Sequence, residues 1–373
     1  MRLVTLPRVM RTALALSLLL TSFVWAGSAA AATSAVGAVY ALTNATSGNA
    51  VLVWNRTADG SLTPAGSYAT GGQGSGSGLG SQGAVILSQD NQLLFAVDAG
   101  SNEISSFKVG PDGLTLVGRV ASGGTLPTSL TTYKNLLYVL NAGSSGNISG
   151  FTIGNDGTLA PIADSIRPLS GGATAPGQIG FSPDGDLLVV VERATQTIDT
   201  FVVGADGRAS GPIPQHSSGA TPFGFAFGHR GQLFVSEAAG TPGGSATSSY
   251  TTAADGSLGL VSGSVPTNQR AACWLVVTSD GRYAYTANAG SGSISGYSID
   301  QDGSLTLLNA DGRTAAPGAN PTDMALSHNS RFLYVRMGST AIIAGFAVQA
   351  DGSLLPISGA AGLPPTAVGL IAR

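Results

Sequence analysis

Short runs in which apolar and polar residues alternate recur along the whole chain, as at 148–153 around Phe151. Such alternation has the period of a β-strand, whose side chains point to opposite faces in turn. The run around Phe151 leads to Asp156-Gly157, and a second run opens at Leu159. Asp-Gly between two such runs is a strong hairpin signal, because Gly accepts a positive φ and Asp tolerates one. The pattern predicts two antiparallel strands joined by a tight turn.

The same arrangement occurs seven times, and in every copy an aromatic residue precedes Asp-Gly by five positions. The Asp-Gly pairs recur every 44 to 53 residues. A period of this size indicates a repeat architecture. The copies are Trp54 with Asp59-Gly60, Phe107 with Asp112-Gly113, Phe151 with Asp156-Gly157, Phe201 with Asp206-Gly207, Tyr250 with Asp255-Gly256, Tyr297 with Asp302-Gly303, and Phe346 with Asp351-Gly352.

Each repeat contains four predicted strands, which in one repeat lie at 273–278, 283–287, 294–299 and 305–308. The chain is out of phase with this unit, because 38–70 holds only a second, third and fourth strand and 366–371 is a lone first strand. Pairing the last strand with the first sheet would close a ring and leave no free inner edge. We therefore predict an all-β, seven-bladed β-propeller closed by the C-terminal strand. Its first strands should begin near Gly83, Thr128, Gln178, Phe223, Cys273, Thr322 and Thr366 and line a central channel.

Composition agrees with this fold and sets the N-terminus apart. The chain has 54 Gly and only 10% charged residues, which is typical of an all-β protein with many turns. Arg2, Arg8 and Arg11, an apolar stretch at 12–25 and the small residues at 30–32 indicate a secretory signal peptide. The stretch is too short to be a membrane span. We predict a signal peptide at 1–32, a propeller at 33–373, and a secreted protein in the periplasm or outside the cell.

Charge and cysteine content narrow the possible partners. Removal of the three leader arginines would change the net charge from −3 to −6, and the only lysines are Lys108 and Lys134. Nucleic acid is therefore not an expected partner. The single cysteine, Cys273, leaves no internal disulfide. We expect a monomer without cofactor or bound metal.

The meander topology divides the loops between two faces. The loop between the second and third strands lies on the same face as the link to the next blade, and we call this the loop face. It varies along the chain: 71–80 is rich in Gly and Ser, 237–249 is long, and Arg270 lies in the link 266–272. Binding sites usually occupy variable loops on a rigid scaffold. The 71–80 run also fits a loop without a function.

A mostly polar position ends each second strand on the loop face, and we expect these side chains to surround the channel mouth. Glu192 and Glu237 come from neighbouring blades, and such carboxylates can have the separated pKa values that acid–base chemistry needs. Asn141 and Asn288 also fit a turn-capping role. The position is occupied by Asp98, Asn141, Glu192, Glu237, Asn288 and Met337.

The starts of the first strands lie on the same face. Arg270, just before one of them, could bind a carboxylate or phosphate, or be an ordinary loop residue. Cys273 fits a small buried residue better than a nucleophile, since no His is predicted beside it. The placement of the three His also argues against a His-bound metal or a Ser-His-Asp triad. The candidate ligand contacts at these strand starts are Gln178, Cys273 and Asp323.

One repeat carries a family resemblance. The segment Ser-Asp-Gly-Arg-Tyr-Ala-Tyr-Thr-Ala-Asn at 279–288, with Gly-Ser-Gly-Ser-Ile-Ser at 290–295 and Asp-Gly-Ser-Leu-Thr at 302–306, resembles the lactonase family of seven-bladed propellers. That family includes bacterial cycloisomerase-type 6-phosphogluconolactonases and fungal carboxymuconate lactonising enzymes. The resemblance covers the mature chain, and Glu192 matches the family's Glu at the end of a second strand. Where the family has Pro-Arg-His, this chain reads Pro176-Gly177-Gln178.

The resemblance implies a small-molecule ligand, a lactone or another sugar-derived compound. We expect a secreted hydrolase of a lactone or sugar-derived ester, in which Glu192 or Glu237 acts as general base on water and Arg270 stabilises the oxyanion. The alternative is a non-catalytic propeller that binds a glycan, a peptide or an envelope partner through the loop face. Candidate ligand contacts in either case are Asp98, Asn141, Gln178, Cys273, Asn288 and Asp323.

Overall fold

The computed structural model describes residues 1–3, 34–318 and 320–373. The predicted signal peptide at 1–32 therefore lies almost entirely outside the described residues. Every regular element in the described part is a β-strand, and 29 strands form seven sheets. The described part contains no helix with the length and apolarity that a membrane crossing needs.

The first four blades follow one another along the chain. Blade 1 contains β1 (Gly37–Leu42), β2 (Ala50–Arg56) and β3 (Leu62–Ala69). Blade 2 contains β4 (Val85–Leu87), β5 (Leu93–Asp98), β6 (Glu103–Gly110) and β7 (Gly113–Ala121). Blade 3 contains β8 (Pro127–Tyr133), β9 (Leu136–Asn141), β10 (Asn147–Ile153), β11 (Leu159–Pro161) and β12 (Arg167–Pro168). Blade 4 contains β13 (Pro176–Phe181), β14 (Leu187–Glu192), β15 (Thr197–Val203) and β16 (Ala209–His216).

The remaining blades have the same plan. Blade 5 contains β17 (Pro222–Phe227), β18 (Leu233–Glu237), β19 (Ala246–Thr252) and β20 (Leu258–Pro266). Blade 6 contains β21 (Ala272–Val277), β22 (Tyr283–Asn288), β23 (Ser293–Ile299) and β24 (Leu305–Leu307). Blade 7 contains β25 (Pro321–Leu326), β26 (Phe332–Met337), β27 (Ile342–Val348) and β28 (Leu354–Ala361). The last strand is β29 (Val368–Ala372).

The final strand belongs to the first sheet. β29 pairs antiparallel with β1, with Ile371 opposite Tyr40, and the sheet order is β29-β1-β2-β3. The N–H of Arg373 also donates a 2.9 Å hydrogen bond to the carbonyl of Ala38. The predicted seven-bladed propeller, closed by its C-terminal strand, is confirmed.

The Asp-Gly pairs form the turns between third and fourth strands. All seven glycines of the motif have a positive φ, between 77° and 118°. In the turn of blade 3, the N–H of Thr158 donates to Asp156 Oδ1 over 3.0 Å, and Gly154 N–H donates to the Thr158 carbonyl over 2.8 Å. The side chain of Asp and the backbone freedom of Gly therefore both contribute to the turn.

The motif aromatics are buried, at no more than 4% exposure, and pack in the cores that join the blades. Tyrosines on second strands add a polar link between blades. Tyr138 Oη donates to the carbonyl of Gly207, and Tyr285 Oη donates to that of Gly352, each over 2.8 Å. Each acceptor belongs to the Asp-Gly turn of the next blade, so these hydrogen bonds fix the angle between neighbouring sheets.

The seven innermost strands surround a cavity of about 460 Å³ whose lining is mostly apolar. Gln82 bridges its loop-face end. The Gln82 Nε2 donates to the Leu275 carbonyl over 2.8 Å, and Leu275 N–H donates back to Oε1 over 3.0 Å. The N–H of Gln82 also donates to the carbonyl of Gly177 over 3.0 Å. Blades 2, 4 and 6 are thereby joined across the channel.

The Gly/Ser run at 71–80 leads directly into this bridge. Its backbone is held on the loop face, because Gly74 N–H donates to the Ala45 carbonyl over 2.8 Å and Gly76 N–H donates to the Asn44 carbonyl over 2.9 Å. At its end, the Ser81 carbonyl accepts a 2.9 Å hydrogen bond from Trp274 Nε1. The run therefore has a structural role, whereas one interpretation of its sequence was a loop without a function.

Candidate functional site

The residues that end the second strands lie inside the blades. We expected them around the channel mouth, but Asp98, Asn141, Glu192, Glu237 and Asn288 are at most 1% exposed and do not contribute to the channel lining. The reason is geometric. Neighbouring strands are about 4.8 Å apart, so a second strand stands one strand further from the axis than the strands that form the channel wall.

These buried groups hold the loop face together. Asp98 accepts hydrogen bonds from Thr70 Oγ1 at 2.6 Å, Ser105 Oγ at 2.5 Å and Asn49 Nδ2 at 2.9 Å. Burial raises the pKa of Asp98, and these donors oppose that rise. Asn288 Nδ2 in turn donates to Ser295 Oγ over 2.8 Å. In both blades the second-strand residue bonds to a serine on the third strand.

Blade 4 departs from this pattern. The third-strand position that faces the second-strand polar residue is a serine in four other blades and Asp199 in blade 4. The strand register pairs Glu192 with Thr197 and Asp199 with Val190, so Asp199 lies diagonally opposite Glu192 on the same face of the sheet. Two buried carboxyl groups therefore meet where those four blades place one acid or amide near a serine. The four serines are Ser105, Ser149, Ser248 and Ser295.

The Glu192 and Asp199 side chains are both fully buried and share one donor. The N–H of Ser170 lies 3.0 Å from Glu192 Oε1 and 3.1 Å from Asp199 Oδ2. Asp199 Oδ1 has no hydrogen-bond donor within the described residues. Burial, a hydrogen bond to Glu192 and repulsion by its charge together raise the pKa of Asp199 to about 8. The Asp199 carboxyl is therefore mostly protonated at pH 7.

On the loop face, the side chains of Ser170 and Thr195 cover this pair. Ser170 Oγ and Thr195 Oγ1 each donate to Glu192 Oε2 over 2.5 Å. Ser170 is exposed, and so are Gly171 and Gly172 beside it. In blade 2, by contrast, the hydroxyl that reaches the buried acid from the preceding link is that of Thr70, which is 0% exposed. Blade 4 thus connects a buried carboxylate to an exposed hydroxyl.

Glu237 and Arg270 lie in other surroundings. Ser248 Oγ donates to Glu237 Oε1, and a side chain at Gly219 would collide with the Glu237 carboxylate. Burial raises the pKa of Glu237. Arg270 is exposed and its Nη2 donates to the Gly290 carbonyl over 2.8 Å. Glu192, Glu237 and Arg270 therefore share no hydrogen-bond partner among the described residues.

Arg270 borders a cavity of about 270 Å³ on the loop face. Arg313, Asn268 and Ser291 contribute to its lining. Within the described residues, neither arginine forms an ion pair with an acid. Two guanidinium groups without acidic partners suit an anionic ligand such as a carboxylate or phosphate.

Cys273 and a residue that the sequence did not point to, Arg193, lie together near the bridged end of the channel. The Arg193 guanidinium stands 5.2 Å from the centre of the Phe223 ring, and its Nε donates to the Ala175 carbonyl over 2.9 Å. Burial raises the pKa of the Cys273 thiol to about 12, although the charge of Arg193 opposes this. The thiol is therefore protonated at neutral pH, which fits the structural role expected for it.

Gln178 and Asp323 bind backbone groups of neighbouring blades. The Gln178 amide donates to the Phe225 carbonyl over 3.0 Å and accepts from its N–H over 2.8 Å. Asp323 Oδ2 accepts from Gly369 N–H at 3.0 Å and from Arg336 Nε at 3.4 Å. Their role as ligand contacts stays a prediction. Across 34–318 and 320–373, no group of three His, Cys, Asp or Glu side chains is placed to hold a metal ion.

Comparison with known proteins identifies a matching family and several solved structures with a similar fold. The family described as "Lactonase, 7-bladed beta-propeller" matches residues 38–173 and 260–365, together more than half of the chain. A Bacteroides fragilis protein provisionally assigned as a 6-phosphogluconolactonase is 21% identical with a TM-score of 0.72, over 90% of this chain and 98% of its own. The periplasmic gluconolactonase of Pseudomonas aeruginosa is 19% identical with a TM-score of 0.71, over 88% of this chain and 98% of its own. No curated protein matches significantly.

Proposed function

This chain belongs to the family of seven-bladed β-propeller lactonases, and we propose that it hydrolyses a lactone or a related sugar-derived ester with Glu192 as general base. The observation that carries the proposal is the Glu192–Asp199 pair beneath the exposed Ser170. Two carboxyl groups with one proton between them are the arrangement that keeps one of them ionised as a base in a buried place. The periplasmic gluconolactonase among the structural neighbours is consistent with a sugar lactone as substrate.

Glu192 suits the role of base better than Glu237. Glu192 is joined through hydrogen bonds to two hydroxyl groups that are not themselves buried, those of Ser170 and Thr195. The hydroxyl that donates to Glu237 is that of Ser248, which is 0% exposed. A proton taken from a bound substrate or nucleophile therefore has a short hydrogen-bonded path to Glu192.

The proposal is tested with purified protein and a panel of lactones that includes glucono-δ-lactone, with acid release followed at constant pH. We expect hydrolysis faster than the spontaneous reaction for at least one lactone. Glu192→Gln should lower kcat by about 100-fold or more, as removal of a general base does. Glu103→Gln, which alters a partly exposed acid paired with Arg119, is the matched control and should keep full activity. Rates equal to the spontaneous reaction for every lactone would refute the proposal, and so would an active Glu192→Gln variant.

The second candidate is a binding function, favoured by the cavity between Arg270 and Arg313. On a chain with more acids than bases, two unpaired arginines at one cavity favour an anionic ligand such as an acidic glycan. Titration calorimetry with an oligosaccharide that carries carboxylates should show binding that Arg270→Gln and Arg313→Gln together remove. Binding that the double variant retains would exclude this cavity.

We propose in addition that the protein is exported. The basic, apolar and small-residue sections of 1–32 support this. The mature protein isolated from cells should then begin at Thr33, which intact-mass measurement determines. A mature protein that still carried residues 1–32 would contradict export by this leader.

A further inference from the structure

We propose that Ser170 is the nucleophile of this site and forms an acyl-enzyme, with Glu192 as its base and Asp199 as the residue that positions Glu192. The inference rests on the proposed hydrolysis at the same site and names the group that attacks the substrate. It follows from a chain of contacts between an exposed hydroxyl and two buried carboxyl groups.

The hydroxyl of Ser170 donates a hydrogen bond to a group that can act as a base. The hydroxyl has a proton to donate, and its acceptor at 2.5 Å is Glu192 Oε2. A nucleophilic serine needs a base within hydrogen-bond reach to take this proton, and the base needs a third group to orient it. Catalytic constellations of this kind are identified by geometry and roles rather than by residue type or order along the chain.

Asp199 supplies the orienting group. Burial and the nearby charge of Glu192 raise the pKa of Asp199 to about 8, so its carboxyl has a proton to offer the neighbouring Glu192 carboxylate. The backbone N–H of Ser170 donates to both carboxyl groups, at 3.0 Å to Glu192 and 3.1 Å to Asp199. These contacts keep the nucleophile next to its base. Asp199 does not touch the substrate and acts only through Glu192.

Ser170 differs from the serines in the turns after the first strands. Ser88 and Ser182 in those turns bond to exposed acids two residues away, Asp90 and Asp184. Ser170 instead reaches an acid 22 residues away that is 0% exposed. This distant, buried partner sets it apart from the ordinary turn serines.

The segment after Ser170 leaves space for a substrate. A side chain built at Gly171 or Gly172 would meet nothing within 4 Å. The backbone N–H groups of these two glycines donate to no acceptor within the described residues. They are therefore free to stabilise a negative charge that develops on a substrate carbonyl oxygen close to Ser170 Oγ.

The reaction balances with water as the only co-substrate. Ser170 Oγ bonds to the lactone carbonyl carbon while its proton passes to Glu192. The ring C–O bond then breaks, and the leaving alkoxide takes that proton, which gives an acyl-serine with a free hydroxyl on the acyl chain. Water next attacks the acyl carbon and gives a proton to Glu192. The ester bond to Ser170 breaks, Oγ recovers the proton, and the hydroxy acid leaves.

The test uses the full chain and diisopropyl fluorophosphate, which modifies serines that are activated as nucleophiles. Mass spectrometry should show one modification, on the peptide that contains Ser170. Ser170→Ala should abolish it, and Glu192→Gln should slow it by about 100-fold. Ser218→Ala is the matched control, because Ser218 is an exposed serine in the next link whose hydroxyl contacts Ser264 rather than a carboxylate, and labelling should stay unchanged.

Two variants of Asp199 separate positioning from folding. Asp199→Asn retains an N–H that can donate to Glu192 and should label at a rate near that of the wild type. Asp199→Leu has no donor and should label at least ten times more slowly, although its circular dichroism should show the same sheet content. Equal rates for the two variants would overturn the role of Asp199.

The outcomes for this inference and for the proposed function differ. Lactone hydrolysis by Ser170→Ala at the wild-type rate, or an unmodified Ser170 in the wild type, overturns the serine nucleophile and leaves the lactonase proposal in place. Modification of Ser170 without turnover of any lactone supports the nucleophile and removes the lactonase proposal. Modification of Ser218 as fast as that of Ser170 also overturns the inference.

Discussion

Tyr334 Oη donates a hydrogen bond of 2.7 Å to the carbonyl oxygen of Gly60, although the two residues are 274 positions apart. Tyr334 lies on the second strand of blade 7 and Gly60 in the Asp-Gly turn of blade 1. The same contact joins blades 3 and 4 and blades 6 and 7. The junction that closes the ring is therefore built in the same way as junctions inside it.

Tyr334→Phe should destabilise the protein by about 1–2 kcal/mol, because the Gly60 carbonyl would lose a buried donor. Urea unfolding should show a lower midpoint with an unchanged m-value. The control is Tyr283→Phe, which removes a hydrogen bond of 2.9 Å to Ala350 at an exposed place and should change stability by less than about 0.5 kcal/mol. Equal effects of the two changes would contradict a special role for the buried contact.

Gln82→Ala should lower stability by about 1–3 kcal/mol. The Leu275 N–H and carbonyl lose their partners at the bridged end of the channel, and unsatisfied backbone groups are costly where water is limited. Gln89→Ala, at an exposed position in the following turn, is the control. Thermal unfolding followed by circular dichroism measures both. A melting temperature that falls as much for Gln89→Ala would show that the bridge is not the cause.

Stability should fall as the pH rises from about 4 to about 8, in part because of Asp199. Its pKa is about 8 in the folded protein and 3.8 when unperturbed, so the folded chain binds a proton that the unfolded chain releases within this window. The contribution is complete below pH 4 and is lost as the pH passes 8, with a slope of at most about 1.4 kcal/mol per pH unit. Urea titrations across this range give the slope.

Asp199→Asn should make that stability profile flatter. Asp98, Glu237 and Asp323 also have raised pKa values, but they are present in both proteins, so the difference between the profiles reports the loss of the Asp199 carboxyl from its pair with Glu192. Asp156→Asn, at an exposed turn, is the control and should leave the slope between pH 5 and 8 unchanged. Parallel profiles for the wild type and Asp199→Asn would show that Asp199 does not hold a proton in this range.

Cys273 should react slowly with iodoacetamide in the folded protein. A thiol with a pKa of about 12 has very little thiolate at pH 8, and the thiolate is the reactive form. We expect alkylation at least ten times slower than in 6 M guanidinium chloride, as followed by intact mass. Rapid alkylation of the folded chain would mean that the thiol is more exposed and more acidic than the structure indicates.

The fold could be predicted because its signals are local and repeated. The Asp156-Gly157 turn depends on residues next to each other, and the phase of the repeats was enough to join β29 to β1. The position of Glu192 could not be obtained in this way, because a second strand stands one strand further from the axis than the channel wall, and this distance appears only when whole blades are arranged around the ring. Ser170 lies in an irregular link, and no periodicity connects it to a residue 22 positions later.

The special character of Asp199 could have been predicted from the sequence. Aligning the third strands shows serine in four blades and aspartate in one, and a charged residue at a position that is most often a serine indicates a specialised blade. The Gln82 bridge had no such signal, because its partners lie on blades 4 and 6 and Leu275 is 193 positions away. Contacts across a ring depend on the finished geometry.

The pairing of β29 with β1 bears on when the protein can fold. The sheet that contains β1 keeps one edge open until β29 has been synthesised and has paired with it. Closure of the ring is therefore a contact between segments far apart in the sequence, and contacts of this kind form slowly during folding.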